Sequence, residues 1–436
     1  MRFGPPRYDG ATGGRSPGAG TGPRAEGEHM AEHGIRADAD TPLTLHPLVY
    51  LEDGGEVTIG RPDTDSYAIF PPDGARLVRR LAEGDTPAQA SDWYAAEYGE
   101  RADVQDVVDA LRELGFVRED GEEAGAPEQL RWQRLGRALF SPLAWVCYAA
   151  IVAWAALRMI RSPDLVPTAQ DLLFSDYYAV ISVVLLIAAV PLIAIHEAFH
   201  ALAARRLGVR SRTRMSYRFY FLVVETALDG LVAVERRRRY LPIMAGMLAD
   251  CVLIALLITV ADAARGPGGA DTFTSRVCLA LAFAAVLRLL WQFFLYLRTD
   301  VYVLITTMLG CVDLHTTSIR LLRNRVLRLL GRTGRLADES LFHPVDRRAA
   351  RWYSWLIVVG YTVSLGTFVL ALAPVLVQMV SGAVDRFGAG QQASWVGLLD
   401  SSVFLFLTFA QLALTVWIAV RERIRERRSR PHHVIA

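Results

Sequence analysis

The chain has 436 residues, 52% of them hydrophobic, and a positive mean hydropathy of +0.25. That is too apolar for an ordinary soluble protein of this size and points to a membrane protein. The net charge of +2 names no partner. The basic residues cluster in short loops beside apolar stretches instead of covering a soluble face, so nucleic acid is not expected as a partner.

Residues 1–41 are rich in Gly, Pro and charge and contain no apolar run. They are expected to be a disordered tail without a cleavable signal peptide, and Met30 is an alternative start. Residues 42–120 read as a small soluble α/β domain. Leu48–Leu51 and Val57–Ile59 flank Asp53-Gly54-Gly55 and predict a hairpin, and Tyr67–Phe70 predicts a further strand. Helices are predicted at Asp73–Ala82, Thr86–Tyr98 and Ala102–Leu114, with Thr86 as N-cap, Pro87 at N1 and Gly115 closing the last one. Strands followed by three short helices make a winged-helix-like domain, and 121–139 is expected to be a linker.

From about residue 140 to 420 the chain reads as a transmembrane domain. Six spans are predicted: 140–158, 178–203, 241–261, 274–298, 353–380 and 397–420, each long enough to cross a hydrocarbon layer. Arginines crowd every second loop: Arg131, Arg134 and Arg137 before the first span, Arg205 to Arg239 between the second and third, Arg320 to Arg351 between the fourth and fifth, and the basic tail 421–436. The chain is therefore expected in the cell membrane as a multi-pass protein with both termini cytoplasmic. The fold class is mostly α, a polytopic membrane protein with about six transmembrane helices and a small amino-terminal α/β domain. Two apolar stretches, Phe219–Val224 and Leu228–Val234, are too short to span and predict a membrane-associated β-hairpin or re-entrant loop. Val301–Val312 stays apolar past Asp300, which predicts a kink or re-entry there. The four cysteines lie in or beside apolar segments without C-x-x-C spacing and are expected to be buried thiols.

The second span ends in His196-Glu197-Ala198-Phe199-His200. Histidines at i and i+4 share a helix face, so both imidazoles can reach one metal ion, and Glu197 beside them can take a proton from water. Ionisable groups this close to an apolar span generally line a polar cavity with a function. A catalytic zinc takes three protein ligands, so a third must come from elsewhere. The second and fourth spans both run toward the cytoplasm, which puts Asp300 at the depth of the histidines and makes it the expected third ligand. Asp250, roughly 14 Å inside the third span, and Asp229 in a turn are the alternatives. Asp250 lies at the depth of Arg288, so an ion pair between these two inside the bundle is also predicted. His315 and His343, in the basic loop, are expected to be solvated, and the tail pair His432 and His433 carries no expected role.

The segment IAIHEAFHALAARRLGVR, with an aspartate at the end of a later span, resembles the site-2 protease family of intramembrane zinc metalloproteases. The resemblance covers about residues 176–315 and implies one Zn2+ held by His196, His200 and Asp300, with Glu197 as the catalytic base. This chain departs from the family in two places. Where the family commonly shows Leu-Asp-Gly it has Thr299-Asp300-Val301, and where the family often shows Gly-Pro-x-x-Asn it has Gly246-Met247-Leu248-Ala249-Asp250. Asp250 in the amide's place is open to a role in positioning substrate. Residues 42–120, with DGARLVRRLAEGDTPAQASDWYAAEYG and VVDALRELGFV, resemble the PqqD-like peptide-binding domains of peptide-modification systems. Those capture a leader peptide by strand addition, which implies a binding edge within residues 48–60, at Val57, Thr58 and Ile59. Together these features predict a zinc endopeptidase that cleaves a hydrophobic or leader-bearing peptide in or near the bilayer during maturation of a ribosomal peptide product. The alternative is a non-catalytic membrane protein that binds or exports peptides and holds a structural metal.

Overall fold

The computed structural model describes residues 40–118, 122, 130–367 and 394–428, apart from 54, 65, 219, 220 and 228, together with scattered positions between 369 and 385. They fall into two compact units divided after Gln129. Residues 1–39 of the expected tail, most of the fifth span beyond residue 367, and His432 and His433 lie outside the described residues.

The amino-terminal unit is an antiparallel meander of β1 (Val49–Asp53), β2 (Glu56–Arg61) and β3 (Ser66–Phe70), followed by α1 (Pro72–Glu83), α2 (Pro87–Tyr98) and α3 (Val104–Glu113). Local chemistry sets most of these boundaries. Gly55 turns the hairpin at φ +87°, and Gly84 and Gly99 end α1 and α2 in the left-handed region, where a side chain would be strained. Thr86 caps α2 in a capping box with Gln89, and Asp103 accepts from two amides at the start of α3. Ile59, Leu77, Val78, Leu81, Val108, Leu111 and Phe116 close one apolar core between sheet and helices.

That sheet corrects one expectation. Val57, Thr58 and Ile59 lie on β2, which is paired on both sides, to β1 and to β3, and all three side chains are buried. A central strand has no free ladder for an incoming peptide; the edges are β1 and β3.

The second unit is helical. Its first element, α4 (Gln133–Leu139), falls within the expected linker. Among the described residues, five helices are long and apolar enough to cross a membrane: α5 (Pro142–Arg161), α6 (Tyr178–Arg206), α7 (Arg236–Ala263), α8 (Phe273–Trp291) and the apolar part, Trp395–Ile418, of the last helix, α12 (Trp395–Arg428). Large apolar side chains such as Ile160, Val190, Val260, Leu290 and Phe406 face outward on them, as lipid contact requires. Helix α4 packs on α6 through Gly136, where a Cβ would overlap the Leu202 carbonyl.

The fourth span is shorter than predicted. Helix α8 stops at Trp291, a 3₁₀ turn follows at Leu295–Leu297, and Arg298 adopts a left-handed φ of +59° before α9 (Asp300–Leu309) begins. The break falls ahead of Asp300, so the expected kink is present and Asp300 opens a new helix instead of ending a span. Helix α10 (Leu314–Leu329) runs through the basic loop, and α11 (Pro344–Thr367) starts ahead of the expected fifth span.

Polar contacts tie the helices together. Arg158 on α5 donates two hydrogen bonds to Asp262 on α7, at 2.6 and 2.8 Å. Asp400 on α12 accepts from the backbone N–H of Ala179 at 2.7 Å and so caps the first turn of α6, which has no capping side chain of its own. Between α6 and α7 the chain forms the hairpin of β4 (Arg212–Arg218) and β5 (Phe221–Ala227) and a 3₁₀ turn at Asp229–Ala233. A hairpin is expected here, but its first strand is the arginine-rich stretch before Phe219, not an apolar one.

Two cysteines and two histidines differ from expectation. Cys147 and Cys251 are exposed on outward helix faces, which costs nothing in an apolar environment, whereas Cys278 is buried. His315 is half-buried, edge-on against Tyr302 and Tyr353, and His343 is half-buried as well, so neither is fully solvated.

Candidate metal centre

His196, His200 and Asp300 converge in the interior of the helical unit, all three buried. His196 Nε2 and His200 Nε2 are 3.1 Å apart, and Asp300 Oδ2 lies 3.3 Å from the first and 3.1 Å from the second. Ligand bonds of about 2.0–2.1 Å in a tetrahedral site place neighbouring donor atoms about 3.3–3.4 Å apart, close to this triangle.

The far side of each imidazole decides what the near side carries. His200 Nδ1 is 2.8 Å from the Pro242 carbonyl, which can only accept, so the proton sits on Nδ1. His196 Nδ1 is 2.9 Å from Asp250 Oδ2, and a carboxylate likewise takes the Nδ1 proton. Both Nε2 atoms therefore present lone pairs, facing each other and a third lone pair on Asp300. Three acceptors within 3.3 Å repel one another unless a proton or a metal ion lies between them, and the donor set fits a divalent metal ion.

Helix α7 supplies this backing from one face. Pro242, Gly246 and Asp250 recur every four residues, so they stack along the side turned to α6. Pro242 offers its carbonyl to His200, and Asp250 offers its carboxylate to His196. Gly246 offers room: a Cβ there would overlap the Nε2 atoms of both histidines. Asp250 is itself held by Arg288 on α8, whose Nε lies 3.1 and 3.2 Å from the two carboxylate oxygens and whose Nη2 also donates to Oδ1. The predicted Asp250–Arg288 ion pair is thus present, and it stands behind His196 rather than among the converging donors. Asp250 is not the third ligand in this arrangement. The Asp229 side chain, the other alternative, lies outside the described residues.

Asp300 is placed by the break before it. As the first residue of α9, its carboxylate sits at the positive end of the helix. The Gln292 side chain accepts from the Asp300 backbone N–H at 3.1 Å, and the Thr299 hydroxyl donates to the Gln292 carbonyl at 2.6 Å. The detour between the two helices is pinned at both ends by Gln292, to which no sequence motif drew attention.

Glu197 is buried beside the cluster. Its Oε2 is 2.5 Å from the Thr226 hydroxyl of β5. Thr226 and Gly246 are functional candidates that sequence reasoning missed. The spacing of Pro242, Gly246 and Asp250 was a signal for Gly246; nothing local announced Thr226. Comparison with protein-family models, with curated protein sequences and with solved structures gave no match.

Proposed function

We propose that this chain is an intramembrane zinc-dependent endopeptidase of the site-2 protease kind, acting on a hydrophobic or leader-bearing peptide. Three metal-directed lone pairs, two of them beside a buried glutamate on one membrane-length helix, carry the proposal. Two imidazoles and a single carboxylate oxygen are the donor set of catalytic zinc sites that leave a position open.

When bound by His196, His200 and Asp300, zinc supplies Lewis-acid polarisation of the scissile carbonyl and acidifies water. Glu197 takes the proton of the attacking water and returns it to the amine nitrogen that leaves. Asp250 and the Pro242 carbonyl hold the two imidazole rings in the tautomer that exposes Nε2, so no proton competes with the metal. Burial of the ligands keeps bulk water out, which strengthens every charge interaction in the site. The peptide substrate is recruited by strand addition to the amino-terminal unit, at β1 or β3, the sheet edges among the described residues. The alternating arginine-rich loops support a multi-pass arrangement in the cell membrane with both termini cytoplasmic.

The test is elemental analysis of detergent-purified protein together with a peptidase assay. Wild type should hold about one zinc per chain, Asp300→Ala should lose it, and Glu197→Gln should keep it while cleavage falls by about 10²-fold or more. Cleavage by Glu197→Gln at the wild-type rate would refute the assignment of the base. Well-folded wild type that binds no zinc even when it is supplied would refute the metalloenzyme.

A further inference from the structure

We propose that Thr226 is a positioning residue for Glu197, and that the seating of the β4–β5 hairpin on α6 sets the orientation of the base. The inference rests on the reading of Glu197 given above. Thr226 is completely buried, next to last on β5 and paired with Thr213 across the hairpin. Its hydroxyl lies 2.5 Å from Glu197 Oε2 and 3.4 Å from the Glu197 backbone carbonyl. A hydroxyl has one proton, and the shorter contact shows where it goes: to the carboxylate, as a charge-assisted bond.

A buried threonine on a two-stranded hairpin is commonly just a β-former that has found an acceptor. Three features set this one apart. The acceptor is the carboxylate of the H-E-x-x-H motif itself. The two residues come from segments separated by the turn after α6 and the whole of β4, so the contact is long-range and specifies how the hairpin lies. And the hairpin is spliced between α6 and α7, the two helices that hold and back the histidines. Holding Oε2 fixes the plane of the carboxylate and leaves Oε1 to take the proton. A hairpin that lifts away therefore releases the base without disturbing His196, His200 or Asp300. The positions are coupled in both directions: loss of the carboxylate should loosen the hairpin, as loss of the hydroxyl should free the carboxylate.

The experiment uses the full chain in lipid nanodiscs, with Thr226→Val, Thr226→Ser, Glu197→Ala and the variant that combines Thr226→Val with Glu197→Ala. Metal content at the wild-type level certifies that each variant is folded. Backbone hydrogen exchange over residues 221–227 should rise in Thr226→Val and in Glu197→Ala, and the double variant should exchange no faster than either. In the peptidase assay Thr226→Val should lose about 10- to 100-fold in kcat with little change in KM, the size expected for one charge-assisted hydrogen bond, and Thr226→Ser should recover most of it. Unchanged exchange in Thr226→Val, or additive effects in the double variant, would overturn the anchor. Full kcat in Thr226→Val would overturn the positioning role. If wild type cleaves nothing, the peptidase reading and the role of Thr226 in catalysis fall together, and the exchange data still decide whether the hydroxyl holds the hairpin to Glu197.

Discussion

In the amino-terminal unit each element carries its own start and stop. Pro72 and Pro87 open helices, Thr86 and Asp103 cap them, Gly84 and Gly99 end them, and one apolar core does the rest. In the helical unit the candidate metal centre draws its parts from elsewhere along the chain. His196 is backed by Asp250 on α7, Asp250 by Arg288 on α8, and Asp300 by Gln292 across a break. Interactions of the first kind act within a turn of helix and fail singly. Those of the second form a chain in which each polar group in a low-dielectric interior depends on the next, so that removing one leaves a buried partner unsatisfied. The largest mutational effects should therefore sit on residues of the helical unit that have no obvious chemistry of their own.

Gly246→Ala should produce the largest. One methyl group would occupy the space where the two Nε2 atoms converge, on a helix that packs too tightly to withdraw. Metal content should fall as far as in Asp300→Ala, although no ligand has been removed, and elemental analysis of the two side by side checks this. Alanine is the better helix former, so helicity should not decline, and retained zinc would mean that α7 gives way.

What the sequence made legible follows the same division. Strands, helices and caps of the amino-terminal unit depend on near neighbours, and periodicity and turn chemistry read them to within a few residues. The His196–His200 pair was legible because both lie on one turn of one helix, and Asp300 because its depth matched theirs. The setting of Asp300 was not legible. Apolar residues continue through Leu295–Leu297, and hydropathy cannot register the left-handed Arg298 or the two hydrogen bonds at Gln292 that break the helix. Depth matching also brought Asp250 to Arg288, but could not show that the same carboxylate reaches His196. Val57, Thr58 and Ile59 were misread for a related reason: strand order is a property of pairing, and a lone run of strand residues does not say whether it will sit at an edge.

Asp250→Asn should have the next effect. The amide is nearly the same shape, yet it forfeits the charge that balances Arg288, and it is free to turn its NH2 toward His196, which would leave Nδ1 without an acceptor. Metal affinity should drop about 10- to 100-fold, measured by competition with a chromophoric chelator. Adding Arg288→Met should cost less in the Asp250→Asn background than in wild type, because the guanidinium then has no carboxylate to lose. Equal costs in both backgrounds would show that the ion pair and the imidazole contact are independent, and the centre would resemble the amino-terminal unit more closely than proposed.

Thr86→Ala gives the smallest effect and the clearest contrast. The Thr86 hydroxyl accepts from the Gln89 N–H at 3.2 Å, and the Gln89 side chain accepts from the Thr86 N–H at 3.0 Å, both exposed to solvent. Alanine removes one of the two bonds, and water replaces it at once, so the cost should be about 1 kcal/mol and confined to α2. Hydrogen exchange over residues 87–98 of the full chain should accelerate about fivefold, the factor to which that energy converts. Serine at this position should behave as wild type does, because the hydroxyl alone makes the cap. Metal content should not move, since the ligands and their backing residues all belong to the other unit. A cap that cost the chain its metal would mean that the two units are energetically one, and would make the local character of the amino-terminal unit a property of its geometry alone.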